Sequence, residues 1–126
     1  MPFHNVLLID DDEDDQEIFL TAAKEVSGRV KCTSLFDARE ALKKLEIGEL
    51  VPDVIFLDLN MPVMNGQQFL TEIKKKLRLK SIPIIIFSTT SNDDTIVRMK
   101  ALGAHDFITK PNRYDQLLEI LKKLLN

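Results

Sequence analysis

Short apolar runs alternate along this chain with longer segments in which apolar residues recur at helical spacing. Val6–Ile9, Val54–Leu57 and Ile84–Phe87 are almost purely apolar. Such runs read as strands buried on both faces, as in a parallel sheet. Arg29–Leu35 alternates weakly, and Asp106–Ile108 is a further short strand. Five helical patterns lie between and after them. Ile18, Phe19, Ala22, Ala23 and Val26 form the first, with Gly28 as its stop. The second opens on Asp37 as N-cap with Glu40 at the capping-box position, carries Ala38, Ala41, Leu42 and Leu45, and closes at Gly48. The third opens at Asn65-Gly66, with Phe69, Leu70, Ile73 and Leu77 inward. The fourth starts at Asp93-Asp94, carries Ile96, Val97, Met99 and Leu102, and stops at Gly103. The last runs from about Arg113, with Tyr114, Leu117, Leu118, Leu121, Leu124 and Leu125 on one side.

This order is βα repeated five times. Right-handed crossovers then give an α/β, doubly wound parallel sheet with helices on both faces. The expected strand order is 2-1-3-4-5, with the first and third strands adjacent at the switch point. The residues leaving the strands' carboxyl ends would share one rim: Asp10 and Asp11, Asp58, Ser88 and Lys110.

Composition narrows the function classes. The 126 residues suit one domain, and 44% hydrophobic with 29% charged residues is ordinary for a globular protein. A net charge of −3 offers no basic field for nucleic acid. The cluster Lys74, Lys75, Lys76, Arg78, Lys80 has no interleaved aromatics and reads as a solvated helix face. No apolar run reaches the roughly 20 residues needed to span a bilayer. The opening Met1-Pro2-Phe3-His4-Asn5 lacks the basic start and apolar stretch of a signal peptide. Cys32 is the only cysteine, so a reducing cytoplasm is the expected compartment.

The rim's chemistry follows from its residue types. Asp58 alone fits a turn residue as well as a nucleophile or metal ligand. Six acids run from Asp10 to Asp15. Asp12 to Asp15 are accounted for by a helix N-terminus, which favours negative charge. Asp10 and Asp11 abut the strand itself, where adjacent like charges call for a cation. Three carboxylates and a backbone carbonyl make a hard-oxygen site for Mg²⁺, with Mn²⁺ able to substitute. A lysine and a hydroxyl opposite suit a phosphoryl group, which an aspartate accepts as an acyl phosphate.

Ile9-Asp10-Asp11, Leu57-Asp58-Leu59-Asn60-Met61-Pro62, Ile86-Phe87-Ser88-Thr89 and Thr109-Lys110-Pro111 resemble, in order and spacing, the motifs of response-regulator receiver domains of two-component signalling. The resemblance covers nearly the whole chain. It implies a flavodoxin-like fold and phosphorylation of Asp58 by a sensor histidine kinase or phosphotransfer protein. It implies a metal held by Asp11, Asp58 and the Asn60 carbonyl, with Asp10 acting mostly through water. Lys110 would pair with carboxylate or phosphoryl oxygens, and Ser88 would bond the phosphoryl group. Phe107 matches the switch aromatic but lacks the hydroxyl of a tyrosine. Asn60 and Thr90 match positions that tune hydrolysis. A cis peptide before Pro111 is also implied. The Asp-rich start and the Ser88-Thr89-Thr90 run are similar to stand-alone receivers associated with phytochrome-type kinases.

Residues 1–126 are therefore expected to form a single receiver domain without an output domain, not an enzyme beyond its own phosphorylation and dephosphorylation. Its signal would pass to a protein target through about residues 93–125, as a monomer or a phosphorylation-dependent dimer, with no nucleic-acid or membrane partner. Two other readings remain. One is a receiver-like scaffold that ignores phosphate. The other is an aspartyl-nucleophile phosphohydrolase of the haloacid-dehalogenase type, whose Asp-x-Asp signature Asp10-Asp11-Asp12 resembles, although Asp14 stands where Thr or Val is expected.

Overall fold

A computed structural model describes residues 3–90 and 92–125. Met1 and Pro2, part of the N-terminal stretch read above, lie outside them. The elements run β1 (Asn5–Ile9), α1 (Glu13–Val26), β2 (Lys31–Leu35), α2 (Ala38–Glu46), β3 (Val54–Leu57), α3 (Gly66–Lys74), β4 (Ile84–Ser88), α4 (Asp93–Ala101), β5 (Asp106–Thr109) and α5 (Tyr114–Leu125). The five strands form one parallel sheet in the order β2-β1-β3-β4-β5. The flavodoxin-like expectation holds.

Alternation along the strands divides the core into two layers. Leu7, Ile9, Ile55, Leu57, Ile84 and Ile86 pack with Ala41 and Leu45 of α2, Phe69, Leu70 and Ile73 of α3, and Met99 of α4. Val6, Leu8, Val54, Phe56, Ile85 and Phe87 pack with Phe19 of α1 and Leu117, Leu121 and Leu125 of α5. Successive side chains point to opposite faces, so parity assigns the residues at the strand tips. Asp10, Asp58 and Lys110 continue the rows that face α1 and α5. Ser88 continues the opposite row, the one to which Phe107 belongs. Phe19, Phe56 and Phe87 meet edge to face, with centroids 4.9, 5.6 and 6.3 Å apart, directly below the first set.

Several local expectations are corrected. Leu77 is 81% exposed, because α3 ends at Lys74 and the chain turns before reaching it. Ile18, Val97 and Tyr114 also face outward: Ile18 and Val97 stand beside the stripe that Phe19 and Met99 bury, and Tyr114 lies in the first turn of α5, where the helix end meets solvent. Gly28 does not cap α1, since Ser27 already bonds back to Ala23. β2 begins at Lys31 rather than Arg29. The reciprocal capping box lies on α3, between Asn65 and Gln68, and not on α2. Asp37 does cap α2, but Glu40 turns to Lys44 at 3.2 Å. The basic cluster is tied up locally: Lys74 bonds the Lys80 carbonyl, Lys76 pairs with Glu46, and Arg78 bonds the Glu46 carbonyl.

Candidate functional site

Parallel register brings the site together. Ile9 pairs with Leu57, so Asp10 and Asp58 are the next residues on adjacent strands. The Asp58 N–H donates to the Ile9 carbonyl at 3.0 Å, and the Asp10 N–H to the Leu35 carbonyl at 3.1 Å. On the other side Ser88 pairs with Thr109, and the Lys110 N–H donates to the Ser88 carbonyl at 2.9 Å. Each ladder thus runs one bond beyond the strand and fixes the residue that carries chemistry.

Asp10, Asp11 and Asp58 each offer a carboxylate oxygen, and these oxygens lie within 4.8 Å of one another. Asp11 is exposed, whereas Asp10 and Asp58 are 1% and 6% exposed. Burial pushes the Asp58 carboxyl up to about 6; the nearby Lys110 and the N–H groups of Asn60 and Leu59 pull it back, while Asp10 pushes it further up. Asp10 is raised as well, chiefly by burial, against the pull of Lys110 and of the Asp12 N–H that it accepts at 2.9 Å. Two buried acids and a third within reach concentrate negative charge, and hard oxygen donors in this arrangement suit a divalent cation that keeps part of its water. The residues present therefore fit Mg²⁺ or Mn²⁺.

The Lys110 ammonium donates to Asp10 Oδ2 and to Asp15 Oδ2, both at 2.8 Å, and stands 3.9 Å from Asp58 Oδ2. Burial alone would lower its pKa; the bonds to Asp10 and Asp15 and the charge of Asp58 override this and hold it at about 12. Its Nζ also lies 5.9 Å from the centre of the Phe87 ring. Ser88 is fully buried at the end of β4, and its Oγ accepts the Thr90 N–H at 3.3 Å. Asn60 Nδ2 donates to Thr90 Oγ1 at 3.0 Å, joining the loops after β3 and β4. Phe107 is half-buried on the α4 side. The expectation of a cis bond before Pro111 is not met: no peptide bond among the described residues is cis. Trans is the favoured isomer for X–Pro by about 0.5–1 kcal/mol.

Three supporting residues escaped the sequence reading. Asp15, attributed above to the helix N-terminus, reaches Lys110. Gln16, 3% exposed, donates its side-chain amide to the carbonyls of Asp10 and Leu35 at 2.7 and 2.8 Å. It lies three before Phe19 and seven before Ala23, on the buried stripe of α1, but as a polar residue it read as a break in the apolar pattern. Gly66 starts α3 against the β3 tip: a Cβ there would run into the Asp58 carbonyl oxygen and lie 2.8 Å from the Leu59 Cα. The Asn65-Gly66 pair marked a helix start but not this approach.

The model of the response regulator receiver domain matches residues 6–122. The chain belongs to that family. It is accordingly a receiver domain of two-component signalling. It superposes on the phosphorylated cyanobacterial phytochrome response regulator RcpA with a TM-score of 0.87 and 30% identity, covering 95% of this chain and 89% of that one. The Mn²⁺-bound form of response regulator Rcp1 gives 0.85 and 26%, over 95% and 90%. Chemotaxis protein CheY4 of Vibrio cholerae gives 0.81 and 29%, over 97% and 98%. Among curated relatives, a protein-glutamate methylesterase/protein-glutamine glutaminase of Treponema denticola is 40% identical over 109 residues, 85% of this chain. The chain spans only 28% of that relative's length and 26% of its Treponema pallidum counterpart. No helix among the described residues is long and apolar enough to cross a membrane.

Proposed function

We propose that Asp58 is the phosphoacceptor of a single-domain response regulator. The carrying observation is its placement: a nearly buried carboxylate beside Asp10 and Asp11, with the Lys110 ammonium 3.9 Å away. The phosphoryl group moves from a phosphohistidine nitrogen of a sensor kinase or phosphotransfer protein to an Asp58 carboxylate oxygen. The N–P bond breaks, the O–P bond forms, and the imidazole leaves. Asp11, Asp58 and the Asn60 carbonyl would hold Mg²⁺ or Mn²⁺, with Asp10 acting through water; when bound, the cation neutralises charge on the transferring group. Asp10 and Lys110 position one another by their direct bond. Lys110 would turn a donor to a phosphoryl oxygen. Ser88, released from the Thr90 N–H, is the hydroxyl within the same rim that would turn to the modified Asp58, and Phe107, on its face of the sheet, would follow it inward.

Two stable positions of the Ser88 and Phe107 side chains would change the surface formed by about residues 93–125, which a downstream protein reads. The protein thus acts by signalling, catalysing only its own phosphorylation and dephosphorylation, in the cytoplasm, as a monomer or a phosphorylation-dependent dimer. Likeness to RcpA, and to a bacteriophytochrome response regulator at a TM-score of 0.79 and 27% identity, favours a phytochrome-type kinase as the donor. Intact-mass measurement after treatment with acetyl phosphate tests the reading. One phosphoryl adduct should appear with Mg²⁺ and be absent with chelator. No adduct under either condition would favour the phosphate-independent scaffold.

A further inference from the structure

Asp15 has no part in the carboxylate cluster, yet it is bonded to Lys110 as closely as Asp10 is. An ammonium has three N–H donors. Two are taken, at 2.8 Å each, and Asp58 is left at 3.9 Å. Asp15 is fixed on its own side of the site by α1: it stands in the first turn, and its N–H donates to the Asp12 carboxylate at 3.0 Å. Asp10 is fixed just as firmly by the Asp12 N–H and the strand ladder. The Lys110 Nζ is therefore held between two immobile anchors, and neither of them is the phosphoacceptor. A third donor is left over, but the two short bonds hold Nζ out of bonding distance of Asp58, and moving it closer works against them. Asp10 is buried and bears directly on the rim. Asp15, with its side chain 37% exposed, has water to replace its partner and is the cheaper of the two to release.

The geometry points to Asp15 as a positioning residue that holds Lys110 back in the resting state and hands it over when Asp58 is modified. One N–H···O bond to Asp15 is exchanged for one to a phosphoryl oxygen, and no proton moves. This rests on the reading of Asp58 as phosphoacceptor. Its consequence is unusual in sign: removing a conspicuous partner of Lys110 should strengthen the modified state. The exchange is reciprocal by linkage, so whatever the contact contributes to the resting state is subtracted from affinity for the phosphoryl group.

The test uses beryllofluoride with Mg²⁺ as a phosphoryl mimic, titrated against the full chain and followed by ¹⁹F NMR. Asp15→Asn should bind it about two- to fivefold more tightly than the unaltered protein, the range for a partly screened ion pair. Asp15→Ala should do the same, and serves if the amide variant folds poorly. Asp15→Glu, which keeps a carboxylate, should stay near the unaltered affinity. Asp14→Asn removes the same charge from the same helical turn without touching Lys110, and should change little. Unchanged or weaker binding by both Asp15→Asn and Asp15→Ala overturns the hand-over. Equal tightening by Asp14→Asn would reduce it to a general field effect and overturn it too. If the unaltered protein binds no beryllofluoride, the phosphoacceptor reading itself fails.

Discussion

The side-chain amide of Gln16 reaches across the end of the sheet and donates to the carbonyl of Asp10 at 2.7 Å. The same nitrogen bonds Leu35 on the neighbouring strand at 2.8 Å. α1 is thereby pinned to the tips of β1 and β2, and Asp10 is held by its backbone as well as by Lys110. Gln16→Leu leaves buried carbonyls short of a donor, which costs about 2 kcal/mol. For a domain of this size that lowers the melting temperature by roughly 8 °C. Thermal unfolding followed by circular dichroism measures it; a change under a degree would mean that the bond contributes nothing.

Gly66 meets β3 where no side chain fits. Gly66→Ala must push the start of α3 away from Asp58 and Leu59. Overpacking of this kind costs about 2–3 kcal/mol. The displaced element carries the loop after Asp58, so phosphorylation by acetyl phosphate should slow as well. Denaturant unfolding together with the phosphorylation rate checks both effects; wild-type values for the pair would show that the contact has no consequence.

Val63 is strained in the opposite sense. Its φ is +67°, and the Met64 N–H closes a three-residue turn on the Pro62 carbonyl at 2.8 Å. A β-branched residue is disfavoured there. Val63→Gly relieves that strain at some cost in unfolded-chain entropy, for a net gain of about 0.5–1 kcal/mol. The midpoint of urea unfolding should rise, with its slope unchanged; a lower midpoint refutes the strain.

The Asp58 carboxyl titrates at about 6 in the metal-free fold, against an ordinary value of 3.8, because burial penalises its charge. The sign follows from linkage. Between those two values the folded state holds the proton more tightly than the unfolded chain, so this group's stabilisation is present at low pH and lost as pH rises through 6. Asp58→Asn escapes that loss. It should be more stable than the unaltered protein at pH 7.5, by something on the order of 2 kcal/mol, and the advantage should fade towards pH 4. Mg²⁺ needs the ionised carboxylate, so its affinity should drop by about tenfold per unit below pH 6. Melting curves of the two proteins across pH, without metal, check the first; Mg²⁺ titration calorimetry checks the second.

Strand order and the convergence of Asp10, Asp58, Ser88 and Lys110 were legible because both follow from local signals. Buried strands announce themselves by four apolar residues in a row, and each of these four residues directly follows such a run or sits just past a strand. Helix faces were less legible. Leu77 and Val97 extend an apolar pattern that the chain abandons by turning early or by lying at the stripe's edge. Asp15 was hidden in plain view: like Asp12, Glu13 and Asp14 before it, it already had a sufficient explanation at the helix N-terminus. Gln16 stands on the buried stripe of α1, three before Phe19, but an amide there reads as a gap in the apolar pattern, and Gly66 is defined by an approach of two backbones distant in sequence.

The central claim is that one particular carboxylate, among several crowded at the rim, takes the phosphoryl group. Reduction of the treated protein with borohydride converts an aspartyl phosphate to homoserine, and peptide mass spectrometry then locates it. Homoserine at position 58 alone, dependent on Mg²⁺ and absent from Asp58→Asn, is the expected result. Homoserine at Asp10 or Asp11, or an unmodified Asp58 in a protein that had gained a phosphoryl adduct, would contradict the account.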